Sequence, residues 1–255
     1  MSTDAGRARS IGGVQSIHRA LDLLEIVAAA GGHLSIVEIG AASAIPLPTI
    51  HRLLQTLVDR GYVRRLPNRE YALGFRLVPL GTAATALVGP DTQDVLADLV
   101  AELGETANLA IVAGDHAQYV AQVPSPHTMR TFTEIGRSVE MHCTGVGKVL
   151  LAQLSEAQVR RVAARVGLPA YTEHTLTNED SLVEALADIR ERGWAEDSEE
   201  QEMGVRCIAV PVAAPGQSWM AVSVSGPVIR MTDDLVGRAV PLLQSAAVRL
   251  GAQTT

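Results

Sequence analysis

The chain has 255 residues, 47% of them hydrophobic and 19% charged, which is the composition of an ordinary folded protein with room for two domains and excludes a disordered chain. No apolar run reaches the roughly 20 residues of a bilayer-spanning helix, and residues 1–13 lack the apolar core of a signal peptide, so a cytoplasmic protein is expected. The net charge of −7 argues against nucleic acid until it is divided: residues 1–80 hold nine Arg and six acidic residues, net +3, whereas residues 81–255 hold twelve Lys+Arg and twenty-two acidic residues, net −10.

That division suggests a modestly basic module that meets nucleic acid, joined to an acidic one that does not; chance segregation is the alternative. Residues 1–13, polar with Arg7 and Arg9, read as a flexible arm without fixed structure. From Ser16 to Ala30 the apolar residues Ile17, Leu21, Leu24 and Val27 recur at helical spacing, and Gly31-Gly32 ends the helix. Ser35 with Glu38 three residues on forms a capping box that opens a short helix, broken at Ser43-Ala44-Ile45-Pro46. A longer helix follows to about Arg60, burying Ile50, Leu53, Leu54 and Leu57. Pro48, Thr49, Arg52, Gln55 and Thr56 lie on its opposite face, and Gly61 stops it. Tyr62–Leu66 and Glu70–Leu73 then alternate as strands about Pro67-Asn68-Arg69, a hairpin that carries Arg64, Arg65 and Arg69. Helix, tight break, helix with a free polar face and basic hairpin together read as a winged helix-turn-helix, residues 14–74, with the second helix and the wing cations placed for bases and phosphates.

Residues 75–90 read as a linker helix stopped at Gly89-Pro90, and residues 91–255 as a second domain. It opens with a helix from Asp91 to Leu103. Strands are expected at Asn108–Ala113, Ala117–Val123 and Met129–Phe132, and a helix over Cys143–Leu154. Ser155 to Gln158 and Thr177 to Asp180 look like capping boxes of two surface helices, the second ending at Gly193. Cys207–Val212 and Trp219–Val224 read as strands, and Asp233–Leu250 as the last helix. The fold class is α+β, an antiparallel sheet with surrounding helices.

Thr144-Gly145-Val146-Gly147-Lys148 invites a phosphate-loop reading and fails it, because the earlier glycine position holds His142 and Val149 follows the lysine. What remains is that backbone amides at Gly145 and Val146, opening a helix, can hold a small anion; close helix-to-sheet packing is the alternative use of these glycines. Ser223 and Ser225 alternate on an apolar strand and share one face, as pocket hydroxyls or as locally satisfied ones. Asp197, within Glu196 to Glu200, reads on its own as part of a solvated acidic surface, and Cys207 as a small core residue. Two cysteines cannot supply a zinc tetrad, and a reducing compartment disfavours a Cys143–Cys207 disulfide. A hydrolase built on Cys143 or Cys207 with His142, His116 or His174 would need a paired base that no motif supplies, so neither catalytic residue, metal nor cofactor is expected.

From Val14 to about Gly251 the chain resembles the IclR family of bacterial transcriptional regulators. The N-terminal likeness runs through Val14-Gln15-Ser16, Arg52-Leu53-Leu54, Gly61-Tyr62-Val63 and Tyr71-Ala72-Leu73-Gly74. The C-terminal likeness is more specific: Leu103-Gly104-Glu105-Thr106, His142, Gly147-Lys148, Glu199-Glu200, Arg206-Cys207-Ile208-Ala209 and Ser223 to Pro227 occur in the family's order and spacing. The resemblance implies a winged-helix domain, a linker helix and a GAF-like effector domain in a homodimer or tetramer on a palindromic operator. It further implies that Gly145 and Val146 meet a small anionic effector, that Asp197, Cys207, Ser223 and Ser225 complete a polar pocket, and that Thr128, Thr131 and Val139 form its wall. Two of those three wall residues are polar here, which favours a more hydroxylated effector than pyruvate; similarity to the glycerol operon regulators implies glycerol 3-phosphate. Ala44 replaces the family's usual turn Gly, at roughly 1 kcal/mol if its φ is positive. The function expected is a repressor of a carbon-catabolism operon. The alternatives are an activator or a sensor acting through protein partners.

Overall fold

The computed structural model describes residues 14–86, 89, 91–131, 133–212 and 220–252. The arm at 1–13, Pro90, Phe132 and Trp219 lie outside them. The chain forms two compact units, residues 1–84 and 85–255.

In the first unit α1 (Gln15–Ala29), α2 (Ile36–Ala42) and α3 (Leu47–Asp59) close on a core of Leu23, Val27, Ile39, Ile50, Leu54 and Val63. The apolar side chains of the three helices meet there because each helix repeats them at three- and four-residue steps. The expected capping box opens α2: the Ser35 N–H donates to Glu38 Oε2 at 2.8 Å and the Glu38 N–H to Ser35 Oγ at 3.3 Å. These bonds satisfy two of the amides that a helix start leaves orphaned, and they hold the Glu38 carboxyl below its ordinary pKa. Among the described residues the non-glycine residues of positive φ are Arg69 and Glu199; Ala44 is not one of them, so the expected cost at the turn does not arise. The wing is β2 (Val63–Arg65) paired antiparallel with β3 (Tyr71–Leu73). A strand absent from the sequence reading, β1 (His33–Leu34), adds to the other edge of β3. Its two residues are too few to show alternation. The residues after the wing are helical over α4 (Leu77–Ala86), which starts two residues after the expected 75–90; residues 87, 88 and 90 of that span lie outside the described residues.

In the second unit α5 (Thr92–Leu103) precedes the hairpin β4 (Thr106–Ala113) and β5 (His116–Val123). After β6 (Ser138–Val139) come α6 (Gly145–Ala152), α7 (Glu156–Val166) and α8 (Glu179–Arg192). Then follow β7 (Ala195–Ser198), β8 (Val205–Val212), β9 (Met220–Pro227) and α9 (Asp233–Ala252). The strands make one antiparallel sheet of order β6-β5-β4-β9-β8-β7. One face packs Leu109, Ile208, Val222 and Val224 against α5 and α9 through Leu96 and Leu243; the other packs Ala209, Ala221 and Tyr119 against Val146 and Leu150 of α6 and, with them, α7 and α8. Three expectations change. Met129 to Thr131 are irregular rather than a strand, α6 begins two residues later than expected, and Asn178, not Thr177, caps α8 by accepting from the Asp180 and Ser181 amides. The irregular stretch is held instead by Arg230, whose Nη2 donates to the Met129 carbonyl at 2.8 Å and to buried Glu105 Oε2 at 2.9 Å. A carbonyl taken by a guanidinium does not need a strand partner.

Loss of the box at α2 should be felt locally. Ser35→Ala is expected to destabilise the first unit by about 1 kcal/mol, read as a lower urea midpoint of its unfolding transition with the second unit's transition unmoved.

Candidate functional site

α3 and the wing present the first surface. Pro48, Arg52 and Gln55 are exposed and Thr49 is half-buried, while Ile50 and Leu54 hold the opposite face in the core. Not all of the polar groups are free: Gln55 Nε2 donates to Asp59 at 2.8 Å and the Thr56 hydroxyl to the Arg52 carbonyl at 3.0 Å. The wing arginines divide as well. In β2 successive side chains take opposite faces; Arg64 donates to the Leu73 carbonyl at 3.3 Å and lies 4.8 Å from the centre of the Phe75 ring. Arg65 points to the other face, and Arg69, at φ +68°, stands exposed in the hairpin turn. Arg52, Arg65 and Arg69 are therefore the more accessible cations, and Arg64 is braced.

The second surface is a polar stripe on the α6 face of the six-stranded sheet. Paired residues of neighbouring strands share a face, and two adjacent rows cross it. The first runs Asp197, Cys207, Ser225, Thr106 and the second Ala209, Ser223, Asn108, Gln122. Alternation pointed to Ser223 and Ser225, the family resemblance alone to Asp197 and Cys207, and neither to Asn108 and Gln122. Thr106 and Asn108 alternate with Ala107 and Leu109 just as the two serines alternate with Val222 and Val224, and that alternation is the signal that could have found them. Asp197 is not on a solvated acidic surface. It lies in β7, 3% exposed, because its neighbours Glu196 and Ser198 take the other face.

α6 packs directly on the stripe. Thr144 caps it, accepting from the Gly147 N–H at 3.1 Å, and a Cβ at Gly145 would lie 3.1 Å from Cys207 Sγ. A Cβ at Gly147 would fall 2.3 Å from Met141 Cα, so Gly147 serves close packing while Gly145 keeps the helix start open to the stripe. The Gly145 N–H is directed at Cys207. Lys148 is the chain's single lysine, and it is buried in an ion pair with Glu200. The chain turns back at Glu199, φ +60°, where the Glu200 N–H donates to Asp197 Oδ1 at 2.8 Å.

Among the described residues, Ser223 Oγ and Glu200 Oε2 at this face, and Thr131 Oγ1 in the irregular stretch after β5, are buried without a hydrogen-bond partner. Ser223 still draws the Cys207 thiol down slightly, without completing a hydrogen bond. Val139 in β6 is half-buried and packs against the cluster that holds buried Val146 of α6, and Thr128 is exposed. The structure thus brings Gly145, Val146, Asp197, Cys207, Ser223 and Ser225 together.

Burial dominates the acid-base behaviour. It pushes Cys207 up to about 12, with Asp197 adding to the rise, and Cys143 up to about 12, with Asp197 and Glu200 adding to it. Thiols so held are the reverse of activated nucleophiles. Cys143 donates to Gln201 Oε1 at 3.1 Å, and His142 Nε2 is engaged with the Pro169 carbonyl at 3.0 Å. Burial raises Asp197 to about 7 against the pull of the Glu200 amide. Among the described residues no cluster of His, Cys, Asp and Glu could hold a metal ion, and no helix is long and apolar enough to cross a membrane.

Known proteins resemble the chain throughout. The family model for the IclR helix-turn-helix domain matches residues 16–67, and that for the C-terminal part of bacterial transcriptional regulator IclR matches residues 88–252. The transcriptional repressor IclR of Escherichia coli is 38% identical over 239 residues, covering 90% of this chain and 86% of that one. The regulator KdgR of Escherichia coli is 32% identical over 246 residues, 93% of each chain. A crystal structure of an IclR transcriptional regulator from Alicyclobacillus acidocaldarius superposes with a TM-score of 0.84 at 28% identity, covering 95% of this chain and all of that one.

Asp197 makes the site's stability depend on pH. Its carboxyl ionises less readily folded than unfolded, so between about pH 4 and 7 the folded chain keeps a proton that the unfolded chain has released, and its contribution is lost as pH rises through that window. Asp197→Asn, which keeps an acceptor for the Glu200 amide, should raise the Tm relative to the parent by an amount that grows from pH 4 to pH 7 and then levels. A pH-independent difference in melting scans would contradict the raised pKa.

Proposed function

The chain belongs to the IclR family of bacterial transcriptional regulators, and on that footing we propose that it is a homo-oligomeric cytoplasmic repressor of a carbon-catabolism operon, governed by a small anionic metabolite. That it is a DNA-binding transcriptional regulator and not an enzyme follows from the family models and the relatives. The relatives named repressors favour repression over activation.

The observation that carries the DNA reading is the exposed polar face of α3 beside accessible wing arginines in a unit of net charge +3. α3 enters the major groove with Thr49 and Arg52 nearest the bases, and Pro48 and Gln55 beside them. Arg65 and Arg69 take phosphates from the wing. Arg64, drawn to Phe75, takes a phosphate only after leaving that ring or braces the wing that offers the other two. Val14 just before α1 and Ile17 and Leu21 on it are each more than half exposed, and so are Phe75, Val78 and Leu80 in the same unit. Apolar stripes left to solvent favour burial against a second copy. A two-fold dimer reads a palindromic operator.

The effector site is the start of α6 over the polar stripe. Amides at Gly145 and Val146 offer positive dipole ends to an anion. Asp197, protonated below about pH 7, does not repel one. Ser223, Ser225 and Cys207 form the polar floor, with Thr131 and Val139 at the wall and Thr128 at the rim. Glycerol 3-phosphate is the first candidate effector. Its binding would change operator affinity through a coupling of roughly 1–3 kcal/mol.

Fluorescence anisotropy on DNA upstream of the gene, against scrambled DNA over a salt series, tests both halves. Arg52→Ala is expected to narrow the gap between specific and scrambled DNA, whereas Arg65→Ala should weaken both alike and flatten the salt slope by about one. Identical behaviour of the two variants would refute the division between base and phosphate. Ser223→Ala should bind operator like the parent but no longer respond to added metabolite.

A further inference from the structure

We propose that the cavity between α7 and the turn of the β4–β5 hairpin is a ligand site in its own right, which takes a small amphipathic monocarboxylate. The charge lies against Arg161 and the Gln158 amide, and the apolar body against the cavity walls. Val112, in one wall, is near the end of β4, whereas Thr106 and Asn108 of the polar stripe are near its beginning.

The cavity has a volume of about 240 Å³ and opens to solvent. Val112, Met141, Leu154 and Val162 line it, and all four belong to or pack against the core cluster shared with α6, so its walls are both apolar and fixed. Leu154 is held further by Arg190, whose Nη2 donates to its carbonyl at 3.1 Å. From α7 come Gln158, Arg161, Val162 and Arg165, at the three- and four-residue steps that share one helix face.

The three arginines of α7 are not equivalent. Arg160 donates to Glu156 at 2.9 Å and pairs with Asp180 at 2.8 Å. Arg165 grips both carboxylate oxygens of Asp115 through Nε and Nη2. Arg161 makes no hydrogen bond or ion pair among the described residues, although it lines the cavity. With Asp115 neutralised, the cavity keeps one uncompensated cation in a unit of net charge −10. Gln158 adds an oriented donor. Its Oε1 accepts from the Ser155 N–H at 3.0 Å and from the Ser155 hydroxyl at 2.8 Å in the cap of α7, which leaves Nε2 as the group available to a ligand.

These features select a chemical class. A planar carboxylate suits a guanidinium, which can meet both of its oxygens. A dianion such as a phosphate monoester would need a second free cation, and Arg165 is committed to Asp115. A bare acetate leaves the four apolar walls wet, whereas a short alkyl chain covers them, each fully buried methylene being worth about fourfold in affinity. The volume, below the roughly 300–1,000 Å³ of sites for drug-sized ligands, limits that chain to a few carbons.

Calorimetry of the full-length protein with acetate, butanoate and hexanoate, and with hexanamide as the uncharged control, tests this. Hexanoate should bind saturably at one site per chain, about tenfold tighter than butanoate and about tenfold tighter than hexanamide. Arg161→Gln should weaken hexanoate about tenfold. Arg160→Gln, on the same helix but engaged elsewhere, and Ser223→Ala, in the polar stripe, should leave it unchanged. Absence of saturable hexanoate binding overturns the site, and equal affinity for hexanoate and hexanamide overturns the role of the cation. Loss of hexanoate binding in Ser223→Ala with none in Arg161→Gln would put the probe on the polar stripe and overturn the cavity as its site.

Discussion

Everything at the proposed effector face depends on the register of β7, β8, β9 and β4. A strand has a period of two, so a slip of one residue would turn Cys207, Ser223, Ser225 and Asn108 into the core beneath α5 and α9 and bring Ile208, Val222 and Val224 out under α6. Neither face could tolerate the exchange: one would bury unpaired amides and hydroxyls, and the other would lose its apolar packing. The same hydrophobic pattern that fixes the core against α9 therefore lines up the polar rows on the other side. The site is precise because the core behind it has one satisfactory alignment.

Lys148 and Glu200 extend that constraint to the helix. In a chain whose other twenty cations are arginines, the single lysine is taken out of water at the fourth residue of α6 and paired with a carboxylate on the segment that follows β7. Such a pair adds little net stability relative to a hydrophobic substitute, because the desolvation of both ions offsets their attraction. It does fix position. With Asp197 accepting the Glu200 amide, the pair couples the start of α6 to the edge strand that carries the raised carboxyl. Thr172 and Thr175 donate to carbonyls of Glu199 and Glu200 at 2.6 Å each and hold the same bend from outside.

The helix-turn-helix was legible because its signals are local. A capping box, a break at Pro46, an apolar stripe and a glycine stop each lie within a few residues of what they determine, and α1 to α3 came out within about two residues of expectation. Strand pairing is not local. β1 and β6, two residues each, carry no periodicity, and the expected strand at Met129 failed because a distant guanidinium, Arg230, takes its carbonyl. At the candidate site Ser223 and Ser225 showed themselves by alternation. Asp197 did not, since five polar residues in a row look solvated until a partner strand shows which of them point inward. Asn108 and Gln122 were hidden for a further reason: a single amide in an apolar strand becomes informative only when its cross-strand neighbours are known.

The two units also solve opposite electrostatic problems by opposite means. DNA is a polyanion approached from a distance, and a small positive excess on exposed, extended arginines suits it, since each can adjust to a phosphate and release counterions. The second unit carries a net charge of −10, so its average field repels the anion it is proposed to bind. Only short-range features can reverse that: amide dipoles at the start of α6, a carboxyl whose charge burial suppresses, and hydroxyls that find no partner within the protein. Each acts within a few ångströms and is shielded from the surface charge by burial. A site of this kind gains selectivity from its own repulsive surroundings, because an anion that cannot satisfy the buried donors receives no compensation for entering an acidic domain.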